Sequence, residues 1–343
     1  MEAILITALF SIALFTLLFS MGLTRAMMYL RIADVPNERS SHTVATPKGG
    51  GVAIIFSLLF FIGLVNLLLF RVLSPDVEML LLLSGAMGIM GVLDDVFQLS
   101  YKPRLAAQLT IGIIMVANGF VFDHIPLPGV DEIDLGPFGP MITILWVVGF
   151  INAFNFMDGL NGLAAGGALV VSFLILLFMP TYNPLWFVFY GLIFALLGYL
   201  RYNFPYGRVF MSDVGSQFLG TLFAVATLVI EPATNGEFRF YIIPLLFLPF
   251  IYDTSLTFIM RVIKRKDPFQ AHREFLFHRL VDMGWSHAQV TLLYAGLILL
   301  QGAFVHYFLA EPSFQKLGLN LLLYICFSML VYKRTLALRS AHA

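Results

Sequence analysis

Apolar runs about as long as a membrane-spanning helix recur along the whole chain. A span takes roughly 20 mainly apolar residues, and such runs fall at 3–24, 50–70, 78–93, 104–122, 140–157, 163–180, 185–201, 215–230, 240–260, 289–309 and 317–332. Charged residues make up 12% of the chain and hydrophobic ones 59%, whereas a soluble domain carries about 25% charge. So few charges cannot cover a surface that faces water. The expected fold is therefore all-α, a polytopic membrane protein of about 11 transmembrane helices, with residues 1–343 as one domain in the lipid bilayer. The third run is short, and its Gly85, Gly88 and Gly91 suit close helix packing. The first run is not expected to be a signal peptide, because Glu2 stands where a basic region belongs and no small-residue cleavage site precedes Arg25. The single cysteine, Cys326, rules out an internal disulfide.

Lys and Arg set the orientation. With the N-terminus outside and the C-terminus inside, all 20 except Arg71, Arg239 and Lys316 fall on the inner side. The outer loops are short apart from 123–140, whose Pro and Gly clusters read as turns of a small hairpin. Nearly all the unusual polar residues then lie on the inner face.

The most distinctive of these stretches is Asn152-Ala-Phe-Asn155-Phe-Met-Asp158-Gly-Leu-Asn161-Gly162, at the junction of two apolar runs. Residues three apart share roughly one helix face, so Asn152, Asn155 and Asp158 form a polar ridge at a membrane boundary. Helix capping needs one or two such residues, not four, which favours a site for a polar substrate or a metal over capping alone. Asp94-Asp95 ends the third run, where acids oppose the helix dipole. Adjacent helical residues point about 100° apart, so the expectation is a division of labour. Lys102 or Arg104 would hold Asp95 while Asp94 faces the substrate; an ordinary interfacial ion pair is the alternative. Asp213, in Val209-Phe-Met-Ser212-Asp213-Val-Gly215-Ser216, stands at a helix start, either as a cap or as a ligand. Few carboxylates completed by water and phosphate are what Mg²⁺ prefers.

Two further loops bear on the inner face. The first, from Asp34 to Gly51, contains Asn37-Glu-Arg39-Ser-Ser-His42 and ends in Gly49–Gly51, whose N–H groups at a helix start favour anions. It reads equally as a solvated basic loop. The longest runs from Lys264 to His287 and carries His272, Arg273, His278 and Arg279. The two histidines are six apart, not the four of a helical zinc pair; with Arg they suit a diphosphate. Ser286-His-Ala-Gln289 is a capping box.

Taken together, Gly91-Val-Leu-Asp94-Asp95, the Asn152–Gly162 stretch and Val209–Ser216 resemble the motifs of the polyprenyl-phosphate N-acetylhexosamine-1-phosphate transferases, glycosyltransferase family 4. That family includes the enzymes that start bacterial O-antigen and common-antigen synthesis and the phospho-MurNAc-pentapeptide translocase. The resemblance covers nearly the whole chain and implies transfer of an aminosugar 1-phosphate from a UDP-sugar to undecaprenyl phosphate, with Mg²⁺ (or Mn²⁺) and release of UMP. It places the site on the cytoplasmic face of the bacterial inner membrane, admits a homodimer and involves no nucleic acid. Carried over by motif, Asp213 and Asn155 are the metal site and Asp94, Asp95 and Asp213 are catalytic. Asn152, Asp158, Asn161, Lys102, Arg104, Arg39, His42, His272, Arg273, His278 and Arg279 would bind substrate. The family usually has Gly where Ser212 stands. The run Phe269-Gln-Ala-His272-Arg273 lacks a His-rich cluster and looks closer to O-antigen enzymes that use deoxyaminosugars.

The rival from another class is a secondary transporter, which binds its substrate near the midplane of repeated halves. No repeat is evident, and the polar residues gather at one face. Asp253, inside an apolar run, is the exception; an intramembrane acid is functional by default, unless a turn-spaced series toward Arg261 makes it structural.

Overall fold

In the computed structural model, which describes residues 2–30, 33–34, 45–69, 72–126, 128, 132–180, 183–267 and 272–342, each apolar run forms helix over most of its described length. The helices are α1 (Glu2–Tyr29), α2 (Gly50–Leu68), α3 (Pro75–Phe97), α4 (Tyr101–Ala117), α5 (Gly139–Phe156), α6 (Leu163–Phe178) and α7 (Pro184–Asn203). They continue as α8 (Ser212–Ala233), α9 (Ile242–Leu246), α10 (Leu248–Ile263), α11 (Leu276–Asp282), α12 (His287–Ala310) and α13 (Phe314–His342). Eight of the described helices are long and apolar enough to cross a membrane. The other three runs form shorter helices: α4 with 17 residues, α6 with 16, and the ninth run, which breaks at Phe247 into α9 and α10. Pro249, just after that break, has no N–H with which to continue the ladder.

The third run is longer than its apolar core suggested. Ser74 accepts a bond from Val77 N, Pro75 follows it, and α3 runs 23 residues to Phe97. Asp94 and Asp95 sit in its last turn, at the end of the helix as expected. Two short antiparallel ribbons complete the chain: Ala33–Asp34 (β1) with Thr46–Pro47 (β2), and His124–Ile125 (β3) with Ile133–Asp134 (β4). The second is the hairpin expected in the long outer loop.

α8 is the axis of the bundle. It is largely apolar, and every residue from Val214 to Ile230 is buried. α2, α3 and α5 pack around it, while α7 is held by α1, α2 and α6. Small residues permit the approach. A Cβ on Gly91 would stand 2.5 Å from the Asp213 carbonyl oxygen, and one on Gly88 2.8 Å from Ile55. Gly85, from the same expected series, faces open space. The close contact between α3 and the start of α8 brings Asp94 to Asp213.

Candidate active site

The last turns of α3 and α5 and the first turns of α4 and α8 meet at one end of the bundle. Asp213 lies in the first turn of α8, where the helix dipole favours a carboxylate. Its Oδ1 accepts from Asn155 Nδ2 at 2.7 Å and its Oδ2 from Arg104 Nη1 at 3.3 Å. The same Nη1 is 3.1 Å from Asp94 Oδ2. One guanidinium nitrogen thus bridges two carboxylates, one nearly buried at 8% exposure and the other open at 28%. Asn155 Nδ2 also donates to Ser216 Oγ at 2.7 Å, and that hydroxyl lies 3.2 Å from the Ser212 carbonyl.

Asp94 and Asp95 have different partners, and not the ones expected. Arg104 takes Asp94, and Asp95 pairs with Lys48 at 3.5 Å. α4 begins four residues after α3 ends and lies on the Asp94 side. The 100° step along α3 turns Asp95 toward the ribbon around Lys48 instead. Lys102 is exposed in the first turn of α4.

That ribbon corrects the reading of Gly49–Gly51 as an anion cradle. Gly50 N donates to Phe210 O at 2.9 Å, Gly51 N to Met211 O at 3.2 Å, and Phe210 N to Pro47 O at 2.8 Å. Two of the three glycine N–H groups are therefore committed to the segment preceding Asp213. The glycines serve close approach: a Cβ on Gly51 would lie 2.2 Å from Gly215 N. Arg39 and His42 lie outside the described residues. Ser212 has φ 60°, a left-handed backbone that glycine adopts without the Cβ penalty other residues meet. The family preference for Gly here has that physical basis.

Along the polar ridge, Asn152 lies one turn deeper than Asn155 and donates to Gln108 Oε1 at 2.7 Å and Val148 O at 2.8 Å. Asp158 falls in the turn after α5, partly open to the cleft. Burial, with Asp213 and Asp95 close by, holds its carboxyl well above the usual carboxylate range. Asn161 faces a different neighbour: its amide donates to Pro205 O at 3.0 Å and its carbonyl accepts from Thr291 at 2.8 Å. Sequence reasoning missed Asn203, which accepts from Gly162 N at 2.6 Å and donates to Val209 O at 2.8 Å. An amide at the end of an apolar run, between the two motif loops, was the available signal.

The longest loop folds back on this turn. A Cβ on Gly159 would meet Phe277 at 2.9 Å and His278 Nε2 at 3.4 Å. Burial, then the Arg273 charge, lowers His278 to about 3. Burial and Arg261 lower His272 to about 4. Both rings are neutral at pH 7. Arg273 pairs with Asp282 at 3.5 Å. Arg279 donates to Glu274 O at 3.1 Å and lies 4.2 Å from the Tyr332 ring centroid. With Lys264, Lys266 and Glu274 they line a cavity of about 150 Å³. Asp253 takes the structural role, accepting from Leu276 N at 2.7 Å, Phe277 N at 3.2 Å and Tyr294 OH at 2.6 Å. It caps α11 from inside the bundle. The Ser286–Gln289 capping box forms as expected.

Among the described residues, no three His, Cys, Asp or Glu side chains enclose a metal ion. The donor set nonetheless fits a hard cation that draws on water and phosphate for most of its ligands. Among the described residues, Asp94, Asp95, Asp158 and Asp213 gather around Lys48 and Arg104, so the carboxyl groups outnumber the cations beside them. A half-turn of the Asn155 amide would set its oxygen beside Asp213.

Residues 77–231 match the model of glycosyl transferase family 4, a span holding all four carboxylates, Arg104 and Asn155. A probable undecaprenyl-phosphate N-acetylglucosaminyl 1-phosphate transferase of Bacillus subtilis (strain 168) is 31% identical over 295 residues, covering 84% of this chain and 80% of the relative. The undecaprenyl-phosphate alpha-N-acetylglucosaminyl 1-phosphate transferase of Escherichia coli (strain K12) is 30% identical over 341 residues, 94% and 89% of the two chains. A decaprenyl-phosphate N-acetylglucosaminephosphotransferase of Mycobacterium tuberculosis (strain ATCC 25618 / H37Rv) is 29% identical over 306 residues, 80% and 75%.

Proposed function

The chain belongs to glycosyl transferase family 4, and from that premise we propose that it transfers an N-acetylaminosugar 1-phosphate from a UDP-sugar to undecaprenyl phosphate. The reaction would run at the cytoplasmic face of the bacterial inner membrane. An oxygen of the lipid phosphate attacks the sugar-bearing phosphorus, the bond to the UMP phosphate breaks, and UMP leaves with the electron pair. The product, undecaprenyl-diphosphate-sugar, starts a cell-surface polysaccharide of the O-antigen kind. The observation that carries this reading is Arg104 held between Asp94 and Asp213, with Asn155 on the far side of Asp213.

Two anions must meet, so catalysis rests on positioning and charge neutralisation. Arg104 brings a positive charge to where phosphate oxygens would lie. A phosphate monoester has its second pKa near 6, so the lipid phosphate needs little help from a base. Asp94 then holds the attacking group in line more than it deprotonates it. Mg²⁺, held by Asp213 and the Asn155 oxygen, would neutralise charge developing on the diphosphate. Asp158 borders the same cleft, and the basic loop that packs on Gly159 would meet the nucleotide. A transporter would need its polar groups near the midplane; here they form one end of the bundle.

The relatives' names specify N-acetylglucosamine, while the loop sequence around His272 favours deoxyaminosugars. The test is the purified protein with Mg²⁺, undecaprenyl phosphate and UDP-GlcNAc, UDP-QuiNAc or UDP-FucNAc, scored for UMP release. Lipid-dependent release with at least one sugar supports the proposal. No release with any of them, from folded protein, ends it.

A further inference from the structure

One helical turn deeper than the charged groups lies a second polar layer. Gln108 follows Arg104 by four residues on α4, Gln217 follows Asp213 by four on α8, and Asn152 precedes Asn155 by three on α5. Each deep residue therefore shares a helix face with the outer residue above it. The three amides form a chain. Asn152 Nδ2 donates to Gln108 Oε1 at 2.7 Å, and Gln108 Nε2 donates to Gln217 Oε1 at 3.2 Å. Gln108 and Gln217 are each 1% exposed.

Holding the bundle together does not account for them. Interhelical polar bonds in membranes add little to stability on average, and α8 is already packed on all sides by α2, α3 and α5. What the amides supply is direction. α4 is the least enclosed helix of the site, with only Gln108, Ile111, Gly112 and Met115 buried. Apolar contacts leave the rotation of such a helix loosely set, whereas a planar amide bonded on both sides holds it to one angle. Gln108 is bonded to α5 through its oxygen and to α8 through its nitrogen. Arg104 projects from the same face one turn above, onto Asp94 and Asp213.

We infer that Gln108 is a positioning residue that acts through Arg104, its bonds to Asn152 and Gln217 fixing the rotation of α4 so that the guanidinium bridges Asp94 and Asp213. The inference rests on the proposed transfer reaction only for its kinetic test. Gln108→Leu keeps the bulk and removes both bonds. It should lower kcat about tenfold with less than about a twofold change in the UDP-sugar KM, since the loss falls on transition-state alignment. In an Arg104→Lys background the same substitution should cost less than about twofold more, because residues acting through one group are not additive. Equal losses in both backgrounds, no loss at all, or a loss that tracks a fall in melting temperature would each overturn the inference. Gln217→Leu breaks the α8 bond from the other side and should reproduce the kcat loss if Gln108→Leu fails to fold.

A second readout needs no turnover. The rate at which phenylglyoxal modifies Arg104, followed by peptide mass spectrometry, should rise several-fold in Gln108→Leu. An unchanged rate overturns the inference even if the wild type transfers no sugar, in which case the reaction assignment falls separately.

Discussion

Two regions of this molecule carry the charges that the sequence connects with phosphate chemistry, and they are built in opposite ways. At the meeting of α3, α4, α5 and α8, the charged groups bond across elements, Arg104 of α4 to Asp94 of α3 and Asp213 of α8, and Asp95 of α3 to Lys48 beside β2. The bonds are long or shared, and Asp213 stays open to the cleft. In the loop between α10 and α12 the charges bond mostly to one another. Arg261 and Lys266 share Glu274, and Arg273 pairs with Asp282. Asp253, on α10 and bonded to the end of this loop, is saturated by two backbone N–H groups and a tyrosine. Shared bonds to an open carboxylate are available for exchange with a substrate, whereas the saturated, buried bonds of Asp253 are commitments of the fold.

The contrast is broken most directly with one substitution in each region. Asp213→Ala should reduce turnover by more than about a hundredfold, the upper end of what even an outer-shell partner of a metal costs, with the melting temperature nearly unchanged. Asp253→Ala should fail the other way. It strands the Leu276 and Phe277 N–H groups and the Tyr294 hydroxyl, at about 1–3 kcal/mol for each buried orphan, so thermal stability falls before any kinetic effect can be read. Near-normal turnover in Asp213→Ala would reduce that carboxylate to a helix cap. A stable Asp253→Ala that is catalytically dead would place Asp253 in the chemistry.

Within the first region, the two acids of α3 should fail differently. Asp94→Asn should lower kcat about a hundredfold, the scale of losing one preorganised electrostatic contact, with UDP-sugar affinity preserved. Asp95→Asn should act about tenfold, and on affinity, because it releases Lys48 and the ribbon that braces the segment before Asp213. Lys48→Met should then copy Asp95→Asn but not Asp94→Asn. Matching defects in kcat and Kd for the two Asn variants would sink the division of labour.

Reading the sequence worked where periodicity carries information across a short distance. The apolar runs gave helices, and the three-residue spacing put Asn152 and Asn155 on one face of α5. The Asp94–Asp95 step of about 100° separated the two carboxylates as expected. The identity of the partners was another matter. Lys48 and Asp95 are far apart in sequence, and their pairing depends on two glycines that let a ribbon lie against α8, which no local pattern encodes. Gly51 read as an anion cradle because its N–H was visible and its neighbour Gly215 was not. Gln108 and Gln217 carried a signal that went unused: an amide inside an apolar run is costly in a membrane, and each stands one turn from a charged motif residue.

The smallest predicted effect tests the second region through pH. His278 is 7% exposed, and its Nδ1 has no hydrogen-bond partner among the described residues. Its pKa is lowered to about 3 by burial and by Arg273, against about 6.5 for a free histidine. Above pH 6.5 the ring is neutral in both states, and it contributes nothing to the pH dependence of stability. As pH falls below 6.5 the unfolded chain takes up a proton that the folded protein refuses, so stability declines. The decline approaches about 1.4 kcal/mol per pH unit for a single group and continues until the folded ring titrates near 3. His272, lowered to about 4, adds in the same direction. His278→Leu removes one titrating group and the orphaned nitrogen together. Its melting temperature should therefore fall less than that of the wild type between pH 7 and pH 5. Parallel profiles would mean that the ring is protonated or solvated in the folded protein, and that the loop sits more openly against Gly159 than a buried neutral histidine permits.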